Sequence, residues 1–193
     1  MKNSNTHTLN LITTNAGKFK IAEQIFNEND VKISQLSIET PEIQSLDTRE
    51  VVKFSAEFAC QKLNQPCLKS DVGYFIPALN NFPGALVKFA NQSLSADNIL
   101  SIMSEKTDRR IFLRECLALA IPGEKTVFFE TEIEAQIAEK ASEKDGSTFD
   151  KIVILPGFSS PKADFSAKEN HDFFKQNLKI YKDVADFWKN RQK

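Results

Sequence analysis

Apolar positions repeat with a helical period in some parts of the chain and alternate with polar positions in others. A short apolar run at residues 9–13 predicts a first strand, and turn-forming residues at 15–17 lead into a helix with apolar positions at helical spacing. A second helix is predicted to begin at Asp47, with Glu50 three residues later as a capping box, and to end near residues 64–66. The pattern begins with a strand, a loop and a helix.

The middle of the chain has the period of strands. Two apolar segments predict strand on either side of Asp71, and residues 80–84 predict a loop. Residues 111–121 and 127–137 predict two long strands joined by a turn. The second of these alternates between an apolar face and a face carrying Glu130, Glu132 and Glu134, which is typical of a solvated hairpin edge.

The last third of the chain predicts one more strand and one long helix. Residues 149–155 form the apolar run, and Ser166 with Glu169 offers a second capping box. The helix that follows has its apolar stripe at Phe174, Leu178, Tyr181, Ala185 and Trp188. Helices combined with a long hairpin favour a mixed α/β sheet over a regular doubly wound one.

Composition and charge narrow the class of protein. The chain has 193 residues, of which 41% are hydrophobic and 26% charged, so we expect one globular domain over residues 9–193 after a flexible leader at residues 1–8. A net charge of −1 gives no general attraction to nucleic acid or anionic lipid. Three cysteines without a CxxC pair and the lack of an apolar leader predict a cytoplasmic protein that contacts no membrane.

The loop Thr13-Thr14-Asn15-Ala16-Gly17-Lys18 is the first candidate site. It places hydroxyls, backbone N–H groups and one cation at the N-terminus of a predicted helix, where a phosphate is favourably bound. It lacks the first glycine of a Walker loop, and Phe19 stands where that motif has Ser or Thr. Taken alone, such a loop is more often a plain turn.

Two carboxylates, Glu42 and Asp71, lie beside the predicted ends of secondary-structure elements. A hard cation such as Mg²⁺ can be shared there between a carboxylate and substrate phosphates. Taken singly, each is better explained as a solvated surface charge.

The order of these segments resembles a known family. The matching segments are Thr13-Thr14-Asn15-Ala16-Gly17-Lys18, Pro41-Glu42-Ile43-Gln44, Ser70-Asp71-Val72-Gly73, residues 78–88 and Gly146-Ser147-Thr148-Phe149-Asp150. Together they resemble the inosine/xanthosine triphosphate pyrophosphatase family over nearly the whole chain. The resemblance implies a long curved mixed sheet flanked by helices, two lobes with a central cleft, and a homodimer.

The resemblance also implies an activity and a set of site residues. The activity is Mg²⁺-dependent hydrolysis of inosine- or xanthosine-type nucleoside triphosphates to monophosphate and diphosphate. Asp71 would be the catalytic carboxylate, and it would share the metal with Glu42. The substrate-binding residues would be Thr13, Asn15, Lys18, Lys88, Phe149, Asp150 and, in the changed closing segment, Lys175.

The chain departs from the family pattern at three places. Ser70 replaces an acidic residue before Asp71, Ser55 stands where a lysine is usual, and the closing Ser-His-Arg triplet is absent. These changes predict a weaker preference for 6-oxo purines than the family shows. They leave two alternatives open: a nucleotide-binding or regulatory relative with weakened turnover, and a pyrophosphatase with altered base specificity.

Overall fold

The fold is a mixed sheet flanked by helices, as the sequence predicts. The computed structural model describes residues 8–41 and 43–191, so Glu42 and all but one residue of the predicted leader lie outside the described part. The strands are β1 Leu9–Ile12, β2 Ile33–Leu36, β3 Cys67–Ile76, β4 Phe82–Gly84, β5 Arg110–Ala120, β6 Val127–Ile137 and β7 Val153–Ile154. The helices are α1 Ala16–Glu28, α2 Thr48–Leu63, α3 Val87–Ser93, α4 Ala96–Ile102, α5 Ala167–Asn177 and α6 Ile180–Asn190.

The sheet is built around β3 and the long hairpin of β5 and β6. Its order is β2-β1-β3-β5-β6-β7, with β4 added beside β3. Strand β1 pairs in parallel with β2 and β3, whereas the β4, β5, β6 and β7 pairings are antiparallel. The predicted alternation of β6 is confirmed, because Glu130, Glu132 and Glu134 are exposed while Ile133 and Ala135 are buried.

Apolar side chains form separate cores at the two ends of the hairpin, which gives the molecule two lobes. In the first lobe, α1 and α6 pack against one face of the sheet, and α2 packs against the other. In the second lobe, residues of α4, α5 and β7 pack around Phe149 and Met103. In the described part of the chain, no helix has the length and apolar character needed to cross a bilayer.

Several predicted boundaries are wrong. Asp71 lies inside β3 rather than beside a strand end, because β5 pairs with β3 continuously from Cys67 to Phe75. The loop at residues 80–84 contains β4, and only Val153–Ile154 of the predicted strand at 149–155 is extended in a ladder. At Asp47 the N-cap is present, but Glu50 accepts a hydrogen bond from Ser45 instead of closing a capping box.

The predicted last helix is two helices. Leu178 has φ −89° and ψ 53°, which interrupts the helix between Asn177 and Ile180. The apolar stripe still continues from Phe174 through Trp188, because both helices bury that face. Hydrophobic periodicity therefore predicts the buried face correctly and misses the break, which the backbone makes without a proline or glycine.

Candidate active site

Strand β3 has an interrupted edge, and the candidate site lies there. On the side away from β5, β1 pairs with β3 up to Leu68, and β4 begins to pair with it at Tyr74. Within the described ranges, the residues between these two points have no strand partner on that side. The interruption opens the sheet next to Ser70 and Asp71.

Two cavities adjoin this part of β3. We call them the Asp71 cavity, lined by Asp71, Lys69 and Lys88, and the Lys18 cavity, lined by Lys18, Glu115 and Lys162. Successive side chains of a strand point to opposite faces of the sheet. Asp71 and Lys69 therefore face the first cavity, whereas Val72 and Tyr74 face the second.

The loop after β1 is shaped by its own side chains. Asn15 is the N-cap of α1, and its Oδ1 accepts a hydrogen bond from the backbone N–H of Lys18 at 2.9 Å. The Oγ1 of Thr13 accepts one from the backbone N–H of Asn15 at 3.1 Å. These local bonds fix the turn, because short polar side chains satisfy backbone groups that the helix leaves unpaired.

Lys18 joins this loop to the centre of the sheet. Its Nζ donates a hydrogen bond to the Oγ of Ser70 at 2.9 Å, across 52 positions of sequence, and lies 3.7 Å from the Oε1 of Glu115. Because Ser70 also lines the Asp71 cavity, the Lys18–Ser70 pair links the two cavities. Two segments that the sequence singled out are thus in direct contact.

Glu115 is a buried carboxylate that sequence analysis did not identify. It is 5% exposed, and its Oε1 accepts a hydrogen bond from the hydroxyl of Tyr181 at 2.9 Å. Burial and the charge of Glu115 raise the pKa of Tyr181 well above its usual range, so the hydroxyl stays protonated and donates. A signal existed: Glu115 interrupts the inward-facing apolar series of Leu113 and Leu117 on β5.

The Asp71 cavity has a volume of about 470 Å³ and a charged lining. Asp71 lies on β3, and Lys88 lies in the first turn of α3, a helix that sequence analysis did not predict. Lys69 is on the same face of β3 and donates a hydrogen bond from its Nζ to the Oγ1 of Thr40. The structure therefore brings the predicted residues Asp71 and Lys88 to one cavity. A second lysine, Lys69 of β3, lies there as well.

The Lys18 cavity has a volume of about 670 Å³, which is in the range of small-ligand sites. Asn15 and Lys18 lie at one end, and its walls are mostly apolar, with Val72, Tyr74 and Phe174 among them. Lys162 lies beside Phe174, with its Nζ 5.5 Å from the centre of the ring. The cavity combines a cationic loop with an aromatic region.

Lys162 is held by an ion pair with Asp150. The Nζ of Lys162 lies 2.6 Å from the Oδ1 of Asp150, and both side chains are largely buried. Burial raises the pKa of Asp150, but the charge and hydrogen bond of Lys162, together with hydrogen bonds from Ser147, outweigh it and lower the net pKa. Burial lowers the pKa of Lys162, but the electrostatic interactions with Tyr74 and Asp150 and the hydrogen bond to Asp150 raise it by more. The net pKa of Lys162 is therefore raised, and the amine stays protonated.

Four predicted substrate-binding residues, Thr13, Phe149, Asp150 and Lys175, are not among the residues that line either cavity. Phe149 is completely buried, and its ring meets that of Tyr74 edge-to-face at 5.2 Å, so it supports the cavity from behind. Lys175 forms an ion pair with Glu28 at 2.7 Å and connects α5 to α1. Lys162 brings a largely buried cation to this part of the cavity. Its segment carries no periodic signal in the sequence.

The described residues offer few oxygen ligands for Mg²⁺ at the candidate site. Protein sites for this ion commonly supply one or two carboxylates and leave the other positions to water and substrate phosphates. No cluster of three or more acidic, histidine or cysteine side chains suited to a metal occurs in residues 8–41 and 43–191. Asp71 alone therefore fits a shared site completed by substrate, while the predicted ligand Glu42 is outside the described residues.

Comparison with known proteins gives a consistent set of relatives. A model of the Ham1 family matches residues 9–175. The dITP/XTP pyrophosphatase of Methanopyrus kandleri is 28% identical over 178 residues, which is 92% of this chain and 94% of that protein. The dITP/XTP pyrophosphatase of Thermococcus kodakarensis is 28% identical over 163 residues, or 84% of this chain and 88% of that protein.

Solved structures show the same fold at lower sequence identity. The HAM1 protein of Coxiella burnetii matches with a TM-score of 0.79 at 18% identity, covering 95% of this chain and 98% of that one. The Ham1 protein of Staphylococcus aureus matches with a TM-score of 0.74 at 21% identity, covering 95% of this chain and 99% of that one. The overall fold is therefore shared across distant sequences.

Proposed function

Because this chain belongs to the Ham1 family, we propose that it hydrolyses purine nucleoside triphosphates of the inosine and xanthosine type to monophosphate and diphosphate. The names of its relatives support this, since they are dITP/XTP pyrophosphatases.

The contact between Lys18 and Ser70 is the observation that carries the proposal. It joins the loop suited to phosphate with the residue immediately before Asp71. Lys18, a cation of α1 suited to the substrate's negative charge, thus contacts the β3 residue that immediately precedes Asp71, the carboxylate proposed for the chemistry. A loop that only reverses the chain does not require its lysine to contact the interrupted edge of β3, so this contact favours a binding role for the loop.

The chemistry follows from these positions. Asp71 accepts a proton from a water molecule as that water attacks the α-phosphorus, and the bond to the bridging oxygen of the diphosphate breaks. Lys18 and Lys88 approach the phosphates from the two cavities. Their charges stabilise the negative charge that develops on the leaving diphosphate.

Magnesium is part of the proposal. Asp71, together with Glu42 as the resemblance implies, would hold the ion with the substrate phosphates. When bound, the ion supplies Lewis-acid stabilisation of phosphoryl oxygen charge. A homodimer and a cytoplasmic location stay predictions.

Product analysis tests the proposed function. The protein is incubated with ITP, XTP, dITP, GTP and ATP over a range of Mg²⁺ concentrations, and monophosphate, diphosphate and orthophosphate are quantified. Equal amounts of monophosphate and diphosphate are expected. Orthophosphate with a nucleoside diphosphate would contradict attack at the α-phosphorus.

Calorimetric measurement of the binding of the same nucleotides distinguishes the hydrolase from the alternative function, a nucleotide-binding or regulatory protein. Binding of a triphosphate without any turnover would favour the nucleotide-binding or regulatory relative. No binding and no turnover would contradict both functions.

A further inference from the structure

We propose that Lys162 reads the 6-oxygen of the purine and thereby selects 6-oxo purines over adenine, an inference that rests on the proposed function.

The shape of the Lys18 cavity gives the orientation of the nucleotide. Ser70 and Tyr74 are four residues apart on the same face of β3, which corresponds to about 13 Å along a strand. Lys18 contacts Ser70, whereas the Nζ of Lys162 lies 5.5 Å from the centre of the Phe174 ring, and Lys162 and Tyr74 both line the cavity. Phosphates bound near Lys18 therefore direct the flat, aromatic base toward the aromatic region, where Lys162 supplies a cation whose side chain is 20% exposed.

The hydrogen-bonding capacity of lysine sets the selectivity. A protonated lysine has three N–H donors and no acceptor. Hypoxanthine, xanthine and guanine carry an oxygen acceptor at position 6, whereas adenine carries an amino donor there. Lys162 can therefore bond to the first three bases at position 6 and not to adenine, and it does not separate inosine from guanosine nucleotides.

The surroundings of Lys162 hold the ammonium in place. Asp150 accepts one of its hydrogen bonds at 2.6 Å, and the Asp150 carboxylate is itself fixed by the backbone N–H of Ser147 at 3.3 Å. The remaining donors of Lys162 can serve an acceptor in the cavity. A base that presents a donor at this point cannot bond to the ammonium, so the cavity disfavours it relative to a base that presents an oxygen.

The test compares base discrimination in Lys162→Met with that in the parent. The ratio of kcat/KM for ITP to that for ATP is expected to fall about tenfold or more, which is the range for a lost hydrogen bond to a charged group. The value of kcat/KM for GTP should fall as much as the value for ITP, and the value for ATP should change little. Lys162→Arg, which keeps the charge and the donors, should retain part of the ratio.

A matched control removes the same charge from the rim of the same cavity. Lys168 lines that rim, has an 84% exposed side chain and pairs with Asp172. Lys168→Met should leave the ratio of ITP to ATP unchanged. An equal fall in both lysine variants would show a general effect of charge and would overturn the proposal.

Two further readouts separate this proposal from the proposed function. Calorimetric dissociation constants for IMP and AMP report base recognition even if the protein hydrolyses nothing. Thermal unfolding reports whether Lys162→Met merely loosens the lobe. Equal losses for IMP and AMP, or a lower melting temperature with an unchanged base ratio, would show that Lys162 serves phosphate binding or folding instead.

Discussion

The Asp71 cavity and the Lys18 cavity adjoin the same strand but have different linings. One has a carboxylate and two lysines close together, and the other has largely apolar walls with Lys18 at one end and Lys162 in its aromatic region. The alternation of β3 divides the tasks, because neighbouring residues point to opposite faces. In the proposed mechanism, bond cleavage occurs on one face of the sheet and recognition of the nucleoside on the other, with Lys18 between them.

The strongest test of this division is Asp71→Asn. Losing the proton acceptor should lower kcat by about 10²–10⁴-fold, while the stability changes little. Single-turnover kinetics and calorimetry measure these quantities, and Asp97→Asn, at an exposed position of α4, is the matched control. A variant that hydrolyses every nucleotide at the parent rate would remove Asp71 from the mechanism.

The next largest effect concerns the cations. Lys18→Ala and Lys88→Ala should each weaken triphosphate binding by about 10–100-fold, because each removes a charge that a monophosphate needs less. The measurement is the ratio of the dissociation constants for ITP and IMP. An unchanged ratio in Lys18→Ala would mean that the lysine only braces Ser70 and Glu115.

Asp150→Asn tests the ion pair between Asp150 and Lys162 beside the Lys18 cavity. The pKa of Asp150 is lowered in the folded protein, so its pair with Lys162 stabilises the fold above about pH 4 and loses that effect as the pH falls through the folded-state pKa. The variant should be about 1–2 kcal/mol less stable than the parent at pH 7. Urea unfolding at pH 7 and pH 3 measures the difference. A deficit that stays constant across this range would argue against an ion-pair origin.

The smallest effect is expected for Lys175→Ala. Lys175 contacts Glu28 on α1 rather than the cavity lining, so kcat/KM and the ratio of ITP to ATP should stay within about twofold of the parent. Glu28→Gln is its matched partner variant and should behave alike. A selective loss of ITP turnover in Lys175→Ala alone would restore Lys175 to the site.

The sequence predicts the parts of the molecule in which local pattern and tertiary structure agree. The hairpin of β5 and β6, the helix that follows the turn-forming residues at 15–17 and the capping box at Ser166 are confirmed. The resemblance to the pyrophosphatase family is also confirmed. Each of these depends on residues close in the chain or on several motifs kept in order.

What sequence analysis misses depends on contacts between distant residues. Glu115 has its hydrogen bond and its ion pair only because Tyr181 and Lys18 reach it from elements 66 and 97 positions away. Lys162 acquires its position from Asp150 and Phe174, which no spacing rule connects. Strand β2 was missed as well, because its four residues have too short a pattern to separate from a loop.

The hydrogen bond between Tyr181 and Glu115 also determines when the site can be completed during protein synthesis. The loop at residues 13–18 leaves the ribosome before α6, yet the carboxylate beside its lysine is fixed by a hydroxyl on α6. Chains are made from the N-terminus, at a rate of about 5–20 residues per second. A nascent chain therefore carries the loop at residues 13–18 for many seconds before α6 is available to fix Glu115 beside it.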